Sequence, residues 1–139
     1  MSIQRALAGL LLATIAGFCQ TAVITNAANA KWTHEANDPP GSESLVLRED
    51  AKTGALELLV RYPAKHALAP HWHSTNERII VLEGRLSLGQ GDKVKYLDQG
   101  GYAYLPAKEV QVMSCASETR CTFYLSWDGK PDFHKAPVK

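Results

Sequence analysis

From Ser44 onward, short apolar runs alternate with turn signals so regularly that no long helix can fit between them. Ser44–Arg48 and Ala55–Tyr62 flank Ala51-Lys52-Thr53-Gly54, and Glu77–Leu82 leads into Glu83-Gly84. Arg85–Leu88 ends at Gly89-Gln90-Gly91-Asp92, and Lys93–Leu97 ends at Asp98-Gln99-Gly100-Gly101. Tyr102–Leu105 stops at Pro106, and Val110–Cys115 and Cys121–Trp127 close the series. No stretch of this region keeps a helical period over three turns. Many short strands with regular turns predict an all-β sandwich or barrel. Ile79-Ile80-Val81-Leu82 is apolar on both faces, which predicts a strand covered on its outer side too, by a second subunit.

Residues 1–30 differ from the rest. Arg5 is their only charged side chain, an apolar run follows from Ala6 to Phe18, and Ala28-Asn29-Ala30 precedes Lys31. A basic start, a short apolar centre and a small-x-small site are the parts of a secretory signal peptide, cleaved here after Ala30. The run is shorter than the roughly 20 apolar residues needed to span a bilayer. Phe18 before Cys19 excludes a lipoprotein site, and the chain has no twin-arginine pair. The expected location is therefore the periplasm or outside the cell, with no membrane attachment after cleavage.

Residues 31–43 read as an irregular arm, 44–127 as the folded domain and 128–139 as a loose tail. The whole chain has 15 basic and 14 acidic residues. Removing the leader takes away one Arg and no acid, so the mature chain is formally neutral. That balance leaves no electrostatic footprint for nucleic acid. Cys19 departs with the leader, and Cys115 and Cys121 remain. In an oxidising compartment an even pair suggests a disulfide, closed if the two flanking runs pair as a hairpin; two buried thiols are the alternative.

The segment Ala69-Pro-His-Trp-His-Ser-Thr-Asn-Glu carries the chemistry. His71 and His73 are two apart, so a strand directs both imidazoles to one face, with Trp72 on the other. Glu77 has the same parity if Ser74-Thr75-Asn76 makes a narrow turn into the next strand. Two imidazoles and one carboxylate make a metal-binding set with open positions for water or substrate. His66 has the opposite parity on a continuous strand and is expected at the surface. His34 and His134 have no partner at ligand spacing. Tyr102 and Tyr104 are expected in the core or at an interface, and Lys93 and Lys95 on a solvated edge.

With Gly84 added, this pattern resembles the cupins, small single-domain members of the RmlC-like superfamily. Their first motif reads G-x5-HxH-x3-E-x6-G, and His71, His73, Glu77 and Gly84 match it, with Lys65 in place of the leading glycine. Their second motif reads G-x5-P-x-G-x2-H-x3-N. Gly100 and Pro106 match it, while Lys108, Gln111 and Cys115 replace its later glycine, histidine and asparagine. The resemblance covers roughly residues 44–127. It implies a double-stranded β-helix, or jelly-roll barrel, often dimeric, with the metal inside. It also implies Gln111 as a fourth, displaceable ligand beside His71, His73 and Glu77, or as an amide orienting a water or substrate.

The expected cofactor is one divalent transition-metal ion, Zn, Cu, Fe, Mn or Ni. The affinity order favours copper and zinc in an exported protein. The expected partner is a small organic molecule. A metal enzyme of dioxygenase, isomerase or lyase type is one reading, and a binding or sensing module is the other. An empty barrel serving dimerisation is the third.

Overall fold

The computed structural model describes residues 21–36 and 38–137; most of the expected leader lies outside these residues. Ten strands run in chain order: β1 Glu43–Glu49, β2 Leu56–Tyr62, β3 His71–Trp72, β4 Glu77–Glu83 and β5 Leu86–Leu88. They continue with β6 Lys95–Leu97, β7 Tyr102–Leu105, β8 Met113–Cys115, β9 Cys121–Trp127 and β10 His134–Lys135. The only helical element among the described residues is a 3₁₀ turn at Gly91–Lys93. No helix among them is long and apolar enough to cross a membrane.

Three sheets result, ordered β1-β2-β9-β4-β7, β6-β5-β8 and β10-β3. Every named strand pair is antiparallel, and β9 joins β2 to β4 across the chain, which is the crossover pattern of a jelly roll. The turns obey local chemistry. The Asp50 carboxylate accepts from the Lys52 and Thr53 amides at 3.0 Å each, and Gly54 supplies the positive φ of 73° that reverses the chain into β2.

Strand parity builds the core. Leu58, Leu125, Ile79 and Ala103 form one inward row across four strands, and Val60, Phe123 and Val81 form the next. Leu86, Leu88, Met113 and Cys115 from the smaller sheet belong to the same buried cluster. A buried side chain of the size of Phe123 or Ile79 contributes roughly 2–3 kcal/mol by removal from water. One row beyond these layers, the inward positions are Leu56, Trp127, Glu77 and Leu105. The alternation that buries Ile79 and Val81 therefore also turns the Glu77 carboxylate inward, at one end of the barrel.

Cys115 and Cys121 form the disulfide, but not across a hairpin. β8 pairs with β5 and β9 pairs with β2 and β4, so the bridge ties the two larger sheets together. Within a single chain the Ile79–Leu82 stretch is covered on its inner face only. Ile79 and Val81 are buried, whereas Ile80 and Leu82 are 37% and 41% exposed on the outer face. Tyr102 and Tyr104 are exposed beside them, so neither belongs to the core.

Candidate functional site

Three elements bring the candidate ligands together. β3 carries His71, and His73 follows just past its end. The backbones of His71 and Gln111 bond reciprocally, at 3.0 and 2.8 Å, which sets Gln111 beside the histidine strand. Glu77 enters at the start of β4. All four side chains are buried, Glu77 and His71 at 2% exposure each.

Each histidine has one ring nitrogen committed to the backbone. His71 Nδ1 lies 2.8 Å from the Ala69 carbonyl, and His73 Nδ1 contacts the Asp132 carbonyl. A carbonyl only accepts, so both Nδ1 atoms donate and the Nε2 edges are left for other partners. His73 Nε2 lies 3.0 Å from Glu77 Oε2, and Gln111 Nε2 donates to the same oxygen at 3.0 Å. Among the described residues no three His, Cys, Asp or Glu side chains are drawn into a ready metal-holding group; His73 and Glu77 bond directly to each other.

The electrostatics separate the two imidazoles. Burial pushes the His71 pKa down, only partly opposed by its bond to Ala69, and keeps the ring neutral. Burial acts the same way on His73, but its bonds to Glu77 and to the Asp132 carbonyl outweigh it and raise the pKa. The nearby Tyr62 hydroxyl is pushed above its ordinary range, chiefly by burial and secondarily by the Glu77 charge.

This set fits a divalent transition-metal ion. Two imidazoles oriented through Nδ1 and one buried carboxylate are ligand types for such an ion, and the backbone carbonyls are the partners that orient ligating histidines. Gln111 adds a buried Oε1 with no partner among the described residues, an acceptor that a cation or a ligand would satisfy.

A cavity of about 780 Å³ opens over the site. Leu68, Met113, Leu125 and Trp127 give it apolar walls, and Pro39 and Pro40 of the N-terminal arm flank it. His66 also lines it, against the expectation of a surface position. The parity argument fails there because residues 66–70 are not a continuous strand: an isolated bridge at Ala67 and a bend at Pro70 separate His66 from β3. The His66 ring meets Tyr62 edge-on at 4.9 Å, and burial lowers its pKa.

The segment read as a loose tail is also part of the site. β10 pairs with β3, matching His134 to Trp72 and Lys135 to His71. Phe133 stacks on the His71 ring, with centroids 4.5 Å apart and planes at 16°. Pairing between the histidine strand and a segment sixty residues later leaves no signal in sequence spacing.

A family model described as the ChrR cupin-like domain matches residues 20–128. No curated protein matches the chain. Among solved structures, a putative acetylacetone dioxygenase from Methylibium petroleiphilum PM1 is similar, with a TM-score of 0.71 at 18% identity over 94% of this chain and 91% of that one. The polyketide cyclase RemF from Streptomyces resistomycificus has a TM-score of 0.68 at 16% identity, over 86% and 88% of the two chains. A Rhodobacter sphaeroides structure of SigE in complex with the anti-sigma ChrR has a TM-score of 0.61 at 16% identity, over 74% and 52%. At such identities the likeness is one of fold.

Proposed function

The chain belongs to the family of ChrR cupin-like domains, and from that premise we propose that it holds one divalent transition-metal ion and transforms a small organic molecule. His71, His73 and Glu77 hold the ion, with Gln111 as a weak fourth partner. The observation that carries this reading is the commitment of both Nδ1 atoms to backbone carbonyls, beside a buried carboxylate. Leaving Glu77 buried with no cation beyond one imidazole is costly, which supports a metal. When bound, such an ion supplies Lewis-acid polarisation of a substrate oxygen. The protein's own residues orient the ligands, exclude bulk water through the apolar walls and present the Gln111 amide oxygen. The names of two similar structures, the putative acetylacetone dioxygenase and the polyketide cyclase, support a small organic substrate.

The Cys115–Cys121 disulfide supports an oxidising compartment, and we place the mature protein in the periplasm or outside the cell. The exposed Ile80, Leu82 and Tyr102 support pairing with a second copy.

Elemental analysis of untagged protein purified from its own envelope tests the metal. One equivalent of metal in the wild type, lost in His71→Ala, is the expected result; metal-free wild type overturns the reading. A second reading, capture of a ligand without chemistry, is favoured by the apolar character of most of the cavity wall. Oxygen uptake and product analysis with small phenols, diketones and sugar acids separate the two, because a binder gives saturable binding without turnover.

A further inference from the structure

Residues beyond 128 lie outside the family match, yet they make some of the closest contacts at the site. The Asp132 carbonyl accepts from His73 Nδ1. Its carboxylate accepts from the Ser74 amide at 2.7 Å and lies 2.9 Å from His134 Nε2. His134 in turn stacks on Trp72, with centroids 3.9 Å apart and planes at 12°. The Ala136 amide donates to the Pro70 carbonyl at 2.9 Å. The strap is thus pinned to both sides of the two-histidine strand. Phe133, held between these pins, stacks on His71, lies edge-on to His73 and lines the cavity.

We propose that this C-terminal strap is a working part of the site: Asp132 is a positioning residue for His73, and Phe133 is the wall that sets which ligands reach the metal. The inference rests on the metal reading above and adds two roles to it. The Asp132 side chain does not touch the imidazole. It acts by anchoring the backbone whose carbonyl fixes the ring's tautomer, leaving Nε2 as the donor atom. Outer partners of this kind are typically worth 10–100-fold in metal affinity. Phe133 acts by volume. Its ring occupies the face of His71 and the adjoining part of the cavity, so a planar organic ligand meets it where a two- or three-atom ligand does not.

The test uses the full chain loaded with cobalt(II), whose visible spectrum reports the ligand set. Asp132→Ala should lower cobalt affinity by about tenfold and change the spectrum. Asp132→Asn, which keeps an acceptor for the Ser74 amide, should restore most of both. A purely structural role would instead lower thermal stability with the spectrum of the loaded protein unchanged, and that overturns the positioning role. Should Asp132→Ala fail to fold, His134→Ala removes the second anchor and is read in the same way.

Phe133→Ala is probed with azide and with 4-nitrocatechol, a planar chelating ligand. Its affinity for 4-nitrocatechol should rise relative to azide by about tenfold, the scale of a steric change in an apolar pocket. An unchanged ratio, or weaker 4-nitrocatechol binding, overturns the wall. Wild type that takes up no cobalt defeats the metal reading itself; wild type that takes it up while both variants match it defeats only the strap.

Discussion

At the scale of single residues, the two departures from the cupin glycine pattern have a visible cost. Lys65 and Lys108 stand where the motifs have glycine, and they are the only non-glycine residues with positive φ among those described, at 59° and 67°. The backbone has kept the turn that glycine makes easy while the side chain changed. An L-residue in this region costs about 1–2 kcal/mol, and glycine loses roughly 0.5–1 kcal/mol of that advantage through the entropy of the unfolded chain. Lys65→Gly and Lys108→Gly should therefore each stabilise the fold by about 0.5–1 kcal/mol, read as a higher urea midpoint at constant slope. The ion pair of Lys65 with Glu118 is exposed, so its loss subtracts little. Gln111 is the other informative replacement. Gln111→His puts an imidazole beside Glu77 and should slow metal loss to a chelator; an unchanged rate would mean that the position does not face the ion. The histidine pair was legible from its two-residue spacing, and Glu77 from the motif spacing shared with the cupins, since β3 and β4 lie in different sheets and parity does not link them. His66 was illegible because the segment between it and His71 is irregular rather than strand, and spacing carries no sign of that.

At the scale of elements, most strands were readable from apolar runs and turn residues, whereas their partners were not. β8 and β9 follow each other with a short loop between them, the sequence signature of a hairpin, yet they enter different sheets. Jelly-roll crossovers are set by how buried rows match across sheets, here Val60 with Phe123 with Val81, and that matching is not local in sequence. The disulfide consequently staples two sheets rather than a hairpin. In the chain-entropy picture a loop this short gains about 2 kcal/mol. The double variant Cys115→Ser, Cys121→Ser should lose about that much, plus a further cost of roughly 1–3 kcal/mol for each buried hydroxyl left unpaired. The same variant should also be insensitive to reductant in thermal unfolding, whereas the wild type should unfold at lower temperature when reduced. β3 and β10 are the elements least visible in the sequence, because strands of two residues have no periodicity to detect.

At the scale of the whole molecule, the same alternation that fills the barrel leaves a continuous row on its outside. Leu45, Leu59, Tyr124, Ile80 and Tyr102 are matched in register across all five strands of the larger sheet. At the usual spacing between strands such a row is about 20 Å long. The β4–β7 end is the more exposed part of this row. There Ile80 and Leu82 of β4 are exposed beside Tyr102 and Tyr104 of β7, the strand that ends the sheet. A standard two-chain interface buries about 800 Å² per partner, and an aromatic, aliphatic centre with few charges is what its core requires. The wild type should therefore sediment as a dimer. Ile80→Glu combined with Tyr102→Lys should shift it to monomer at micromolar concentration. Both positions face away from the cavity, so the monomer should keep its cobalt spectrum. A variant that remains dimeric would show that the two copies meet elsewhere, and a wild type that sediments as a monomer would leave the row without that partner. Loss of metal together with dimer dissociation would instead mean that the second copy supports the site through the sheet, because Ile80 is flanked on β4 by Ile79, which closes the core behind Glu77.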